Sequence, residues 1–341
     1  SQGNYRSGLD RQTGTLAKPQ LVAELANASF LTIHPSKPVL YAVSEIAGGG
    51  PGEDKQVSAY AIEDDGSLTW LNGRSAQGDI PCYVSVTASG KYALVANYGS
   101  GNVLCYPLDE QGRLGEATAN EQHVGQSTNP QRQQGPHAHC IVLDPSDQFA
   151  LAADLGTDEV VIYRLDQTTG TLTNTGKPLK VPGGSGPRHF TFHPNGKHAF
   201  VINELASTLM ALEWNAKSGE LSILQTVSTL PDGFSGGNST AEVLVHPSGR
   251  FVYGSNRGHH SLAVYSFDDR QGKLTAVGHV STEGETPRNF RIDPSGEFLL
   301  AENQETHTIV PFRVDSKTGM LTRAGEAVEL HSPVCIKFYE R

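Results

Sequence analysis

"HFTFHPNGKHAFVIN", residues 189–203, is the stretch whose reading decides the fold. Phe190 and Phe192 alternate with His189 and Thr191, the period of two that marks a strand with one apolar face. His193-Pro194-Asn195-Gly196 is turn chemistry. Residues 199–202 are then continuously apolar, as in a strand buried on both faces. The segment therefore predicts a β-hairpin whose second strand lies inside a sheet.

The hairpin recurs along the chain. Its copies are "FLTIHPSK" (30–37), "YVSVTASG" (83–90), "CIVLDPSD" (140–147), "EVLVHPSG" (242–249) and "NFRIDPSG" (289–296). The chain ends in "CIKFYER" (335–341), a copy cut off at its turn. A Gly-x-Leu turn interleaves with it, from "TGTL" (13–16) through "DGSL" (65–68) and "QGRL" (111–114) to "TGML" (318–321), seven times in all. Each unit thus reads as strand, tight turn, buried strand, loop, third strand such as "EVVIYRLD" (159–166), Gly-x-Leu turn and fourth strand. A period of roughly fifty residues with no helical periodicity predicts an all-β, seven-bladed β-propeller with four antiparallel strands per blade, one domain over residues 1–341. "GNYRSGLD" (3–10) aligns with third strands and "VCIKFYE" (334–340) with first strands. The ring is therefore expected to close by joining N- and C-terminal strands in one blade. That blade's second strand has no sequence here, so a short segment preceding Ser1 is expected.

Composition narrows the partners. The chain has 341 residues and a formal charge of -10, which argues against a nucleic-acid partner, because phosphate backbones require a basic surface. No apolar run reaches membrane-spanning length. Four cysteines without CxxC spacing indicate neither a zinc knuckle nor a disulfide framework. A reduced, cytoplasmic setting is expected; a periplasmic one stays open, since a chain starting at Ser1 hides any signal peptide. Monomer and dimer both fit the sequence.

Hairpin geometry gathers a candidate site. With the turn proline as position zero, antiparallel pairing brings position -6 and positions +9 and +10 to the same end of a blade. Position -6 holds Ser29, Cys82, His139, Arg188, Ala241, Arg288 and Val334. Position +10 holds Glu45, Tyr98, Leu155, Glu204, Arg257 and Gln304. Position +9 is polar throughout, with Asn97, Asp154, Asn203, Asn256 and Asn303 among its residues. First strands line a propeller's channel, so His139, Arg188, Glu204, Arg257 and Arg288 are expected around one channel mouth. Three cations there would repel one another unless an anion or carboxylates compensate. As exposed rim charges they would each contribute at most about 1 kcal/mol to folding. His137 and His139 form an HxH pair, but no clustered third ligand completes a zinc site. His34, His193 and His246 sit in the turns, at the opposite end, and read as structural. The loops 45–55, 123–135, 230–240 and 281–287 lead to the site end and are expected to wall it.

"GPRHFTFHPNGKHAFVINEL", "GSNRGHHSLAVYSFD", "TPRNFRIDPSGEFLLAENQ" and "PHAHCIVLDPS" resemble the propeller-type 6-phosphogluconolactonases, to which fungal carboxy-cis,cis-muconate cyclases are related. The resemblance spans essentially the whole chain. It implies a metal-independent lactonase of the pentose phosphate pathway, with no cofactor and a small anionic lactone as substrate. It carries the family's histidine onto His139, its arginines onto Arg188, Arg257 and Arg288, and its glutamate onto Glu204. Lactone hydrolysis needs an activated water, a stabilised oxyanion and a proton for the ring oxygen. His139 or Glu204 can be the base with the other as orienter or acid, and Arg188 can face the oxyanion. Arg257 and Arg288 suit a phosphate or carboxylate, and His137, Asn203 and Asn256 are expected to bind substrate beside them. No Gly-x-Ser-x-Gly elbow occurs, which argues against an acyl-serine route. Three other classes remain: a muconate-type lactonising enzyme, a calcium-dependent sugar lactonase with a carboxylate/Asn cage, and a non-enzymatic propeller scaffold. The first would be told by a polycarboxylate substrate, the second by sensitivity to EDTA, and the third by absence of turnover.

Overall fold

The computed structural model describes residues 2–47 and 56–340, and among these there are strands and turns but no helix. Six antiparallel sheets of four or five strands each keep chain order, and a two-stranded sheet pairs Gly3–Arg6 with Gln20–Glu24. One sheet shows the plan: Ala138–Leu143, Phe149–Asp154 and Glu159–Leu165 pair in succession, and Leu172–Asn174 and Leu179–Lys180 both add to the third strand. In that two-stranded sheet Gly3–Arg6 and Gln20–Glu24 pair with no further described strand beside them. The segment 334–340, expected as the closing blade's innermost strand, forms no strand, because no described second strand offers it a ladder partner.

The chain forms two compact units. One comprises residues 1–6, 21–190 and 215–221, and the other residues 7–20, 191–214 and 222–341. The first contains the sheets of residues 28–74, 81–122 and 138–180; its core packs Leu94, Ile141, Val161 and Tyr163. The second contains the sheets of residues 240–281 and 287–329; its cores pack Phe200, Val243 and Tyr265, and Tyr253, Phe290 and Phe312.

Burial follows the sequence pattern. The second strand is buried at all six positions in each of the six larger sheets, as its continuous apolar run predicts. The first strand buries its start and leaves its turn end half-exposed. At that turn end, histidine ties one hairpin to the next. His34 Nδ1 accepts from the Ser36 and Lys37 amides, so Nε2 carries the proton and donates to the Gly90 carbonyl at 3.0 Å. His193 and His246 repeat this toward Gly249 at 2.9 Å and Gly296 at 2.8 Å. The glycine is obligatory: Gly296 has φ +79°, and a Cβ there would lie 2.6 Å from His246 Nε2. In other sheets Asp144 and Asp293 take the histidine's place and cap the Phe149 and Phe298 amides at 2.8 Å. These residues are structural, as the sequence predicts.

Candidate active site

The start of the first strand departs from a regular ladder. A register shift falls between Ala28 and Phe30, Pro81 and Tyr83, Ala138 and Cys140, and Pro287 and Asn289. Ser29, Cys82, His139 and Arg288 are thus the extra residues of β-bulges. A bulge residue has no partner in the ladder and its side chain is re-aimed, a device frequent beside active sites. The period-two pattern cannot reveal this, because one extra residue at a strand end leaves the apolar pair downstream intact. Position +10 lies where antiparallel pairing predicts: the Tyr98, Leu155, Arg257 and Gln304 amides donate to the carbonyls of Ile80, His137, Ser239 and Thr286.

In the first unit, His137, His139 and Arg188 come together through two aromatic rings. Tyr98 stacks on His137 with centroids 4.5 Å apart and meets His139 edge-on at 5.4 Å. His137 Nδ1 donates to the Tyr98 carbonyl at 2.8 Å. On the other side His139 meets His189 at 5.3 Å. Arg188 Nη1 donates to His189 Nε2 at 3.1 Å, so His189 holds its proton on Nδ1. His189 is backed by Tyr83 and Phe30, which stack on each other at 4.1 Å. The Arg188 side chain is 2% exposed and His139 is 6% exposed. The expectation of solvated rim charges is therefore corrected: a buried guanidinium is costly unless hydrogen-bonded, and its cost marks a purpose other than solubility.

The loop 123–135 is built into this unit. Gln133, wholly buried, donates to the Leu155 carbonyl at 2.8 Å and accepts from the Asn129 amide at 3.0 Å. That places Arg132 Nη2 3.1 Å from the Tyr98 hydroxyl. Of the loop 45–55, residues 48–55 lie outside the described residues.

In the second unit, Glu204 and Arg257 pair at 2.8 Å with side chains 5% and 16% exposed. Arg257 Nη2 also donates to the Thr240 carbonyl at 2.8 Å, which fixes its fork. Here a carboxylate compensates one of the three arginines, as the charge balance requires. Arg288 is half-buried at its bulge. Beside it Asn289 donates to Glu242 Oε2 at 2.7 Å. Glu302, opposite Asn289 in the ladder, is wholly buried; burial pushes its carboxyl well above the usual range, against the pull of Lys337.

Asn203 and Asn256, expected beside the substrate, make hydrogen bonds within the fold. Asn256 Nδ2 donates to the Thr229 carbonyl at 2.7 Å and Oδ1 accepts from Thr229 Oγ1 at 2.8 Å, so both ends of the amide are spent inside the fold. Asn203 Nδ2 donates to Thr208 Oγ1 at 2.9 Å within its own hairpin. Asn97 and Asn303 do likewise toward Ala76 and Thr282. Position +9 is polar in every copy, and these amides pin the loops that follow the second strand. The sequence reading gave no role to His189, Tyr98 or Arg132. The Arg-His pair at 188–189 was the available signal for His189, an aromatic at +10 that for Tyr98, and nothing in the pattern singles out Arg132.

Repeated antiparallel sheets of four or five strands, with buried charged side chains such as Arg188 and Glu204 at one end of the hairpins, define an all-β propeller carrying a polar site. The chain belongs to the family described as lactonase, 7-bladed beta-propeller, which matches residues 1–338. It is 39% identical to a 6-phosphogluconolactonase of Bacillus subtilis over 291 residues, 85% of this chain and 81% of that relative. Among solved structures it is similar to a Lactobacillus plantarum protein (TM-score 0.92, 31% identity, 100% of this chain and 96% of the other). It is also similar to the periplasmic gluconolactonase PpgL of Pseudomonas aeruginosa (TM-score 0.88, 31% identity, 96% and 92%).

Proposed function

We propose that the protein hydrolyses 6-phospho-D-glucono-1,5-lactone to 6-phosphogluconate, a step of the pentose phosphate pathway, without a metal. The observation that carries the reading is Arg188, a guanidinium 2% exposed and hydrogen-bonded to a histidine. Two sheets fill the same position with Ser29 and Cys82. The family and the named relatives supply the reaction class.

In this reading His139 takes a proton from water as the water oxygen attacks the lactone carbonyl. Arg188 faces the oxyanion that forms, where a fixed cation in a dry site has its greatest effect. When the bond from the carbonyl carbon to the ring oxygen breaks, His139 returns the proton to that oxygen. Glu204, a carboxylate held against Arg257, orients the water, and Arg257 and Arg288 take the phosphate by charge-assisted contacts. His137 supports the substrate from the Tyr98 side. Residues 1–341 act as one domain of seven blades, closed by the segments 3–25 and 334–340. The substrate's location makes cytoplasm the working compartment.

A lactone panel followed by acid release, with and without EDTA, tests this. The expected order is 6-phosphoglucono-1,5-lactone above glucono-1,5-lactone, unchanged by EDTA. A preference for the unphosphorylated lactone would favour the second reading, a gluconolactonase, which the similarity to PpgL supports. Loss of rate in EDTA would replace the metal-free mechanism, and no turnover of any lactone would leave a scaffold.

A further inference from the structure

We propose that Cys82 fixes the ring tautomer of His139 and thereby makes Nε2 its basic nitrogen, an inference that rests on the reading of His139 as the base. Cys82 holds the same bulge position in its sheet that His139 holds in the next. Its thiol is buried, and Sγ lies 3.7 Å from His139 Nδ1. Three backbone carbonyl oxygens also surround Sγ: that of His139 at 3.4 Å, and those of Ala96 and Ala138 at 3.7 Å each.

A thiol has one proton to give, and carbonyl oxygens can only accept. If S–H were directed at Nδ1, the sulfur lone pairs would face three carbonyl oxygens. If S–H goes to a carbonyl, with the closest at 3.4 Å, a sulfur lone pair is left for Nδ1. Nδ1 must then be the N–H donor. A neutral imidazole protonated on Nδ1 carries its lone pair on Nε2, which is then the ring's basic nitrogen. The carbonyl oxygens equally oppose a thiolate, since negative charge would face the negative ends of their dipoles. Cys82 is thus a positioning residue and not a nucleophile. The turn histidines show the reverse setting by the same logic, since their Nδ1 atoms accept backbone N–H and their Nε2 atoms carry the proton.

Nitrogen NMR of the intact protein labelled in its histidine rings tests this above the pH of histidine titration. The resonance pair that vanishes in His139→Gln belongs to His139. The expected pair has Nδ1 in the protonated range and Nε2 in the lone-pair range. Cys82→Ala should mix the tautomers and lower kcat on the order of 10-fold with KM unchanged, the scale seen when an orienting partner of a functional histidine is lost. Cys82→Ser, whose hydroxyl oxygen can also accept from Nδ1, should restore the tautomer and most of the rate. A wild-type His139 protonated on Nε2 overturns the proposal without recourse to any variant. So does a Cys82→Ala protein with unchanged tautomer and rate. If the Nδ1–H tautomer is found but His139→Gln retains full lactonase activity, the tautomer assignment stands and the reading of His139 as base falls.

Discussion

At the turn end of the hairpins histidine is a repeating part; at the start of the first strands it is singular. His34, His193 and His246 occupy one repeat position, hold one tautomer and make one bond, to a glycine carbonyl at 3.0, 2.9 and 2.8 Å. His139 and His189 share their repeat positions with Ser29, Cys82 and Arg288, and with Phe30, Tyr83 and Asn289. Both groups are buried, so burial does not separate them. Periodicity does. A polar residue that recurs with the fold answers a need each blade has, whereas one that breaks the repeat answers a need outside the fold. The same criterion explains why Asn203 and Asn256 serve the turns while Glu204 and Arg257, one residue further on, break the pattern.

The largest expected effect lies at the singular end. On the proposed mechanism Arg188→Ala removes a charge-assisted donor from the developing oxyanion and should cost ~3 kcal/mol in the barrier, on the order of 100-fold in kcat. Arg188→Lys should recover only part, because an ammonium lacks the planar fork. Burial adds a second consequence: removing the guanidinium takes the donor from buried His189 Nε2, which should lower stability by about 1–3 kcal/mol. Melting temperature and single-turnover rate, measured on the same samples, separate the two. A stability loss with full turnover would place Arg188 with the turn histidines and break the comparison.

The blade pattern was legible because it rests on period two, turn chemistry and a buried second strand, each of which repeats. His139, Arg188, Glu204, Arg257 and Arg288 stand out in the sequence as titratable or charged residues at matched offsets. What escaped is what a pattern of residue types does not encode. The bulge that makes His139 and Arg288 extra residues alters the ladder without altering the apolar pair. The burial of Arg188 depends on tertiary packing around Phe30, Tyr83 and His189. Asn256 read as a ligand because an amide's partners lie outside the repeat unit, on Thr229 and Asn238. The segment 334–340 has the residue pattern of a first strand, yet a strand also needs a ladder partner, which a one-strand pattern does not supply.

At the repeating end the effects should fall on stability alone. Gly296→Ala places a Cβ 2.6 Å from His246 Nε2 at φ +79° and should destabilise by more than about 1 kcal/mol, leaving turnover per folded molecule unchanged. His246→Ala, which removes one buried hydrogen bond, should cost about 1 kcal/mol. In the double variant the clash has no ring to meet, so the two costs should sum to less than their separate values. Additive costs in denaturant titrations would show that the glycine and the histidine act independently and would weaken the idea of a repeated tie.

The smallest effect is a pH dependence carried by buried histidines, two of which, His34 and His198, lie at the turn end. Burial, aided by Lys37, lowers the His34 pKa from its ordinary value of 6.5, against the pull of the Gly90 carbonyl. Burial lowers His198 and His259 in the same direction. A depressed folded-state pKa means that the unfolded chain takes up protons first as the solution is acidified. The stability these neutral rings contribute is therefore fully present above about pH 6.5, and it falls as pH drops below that value. It stops falling once the folded-state rings titrate too. Melting temperature followed from pH 7.5 to 5.5 should decline, and His34→Asn should make the decline shallower by only part, because His198 and His259 still titrate. An unchanged slope in His34→Asn would remove the turn histidine from this dependence.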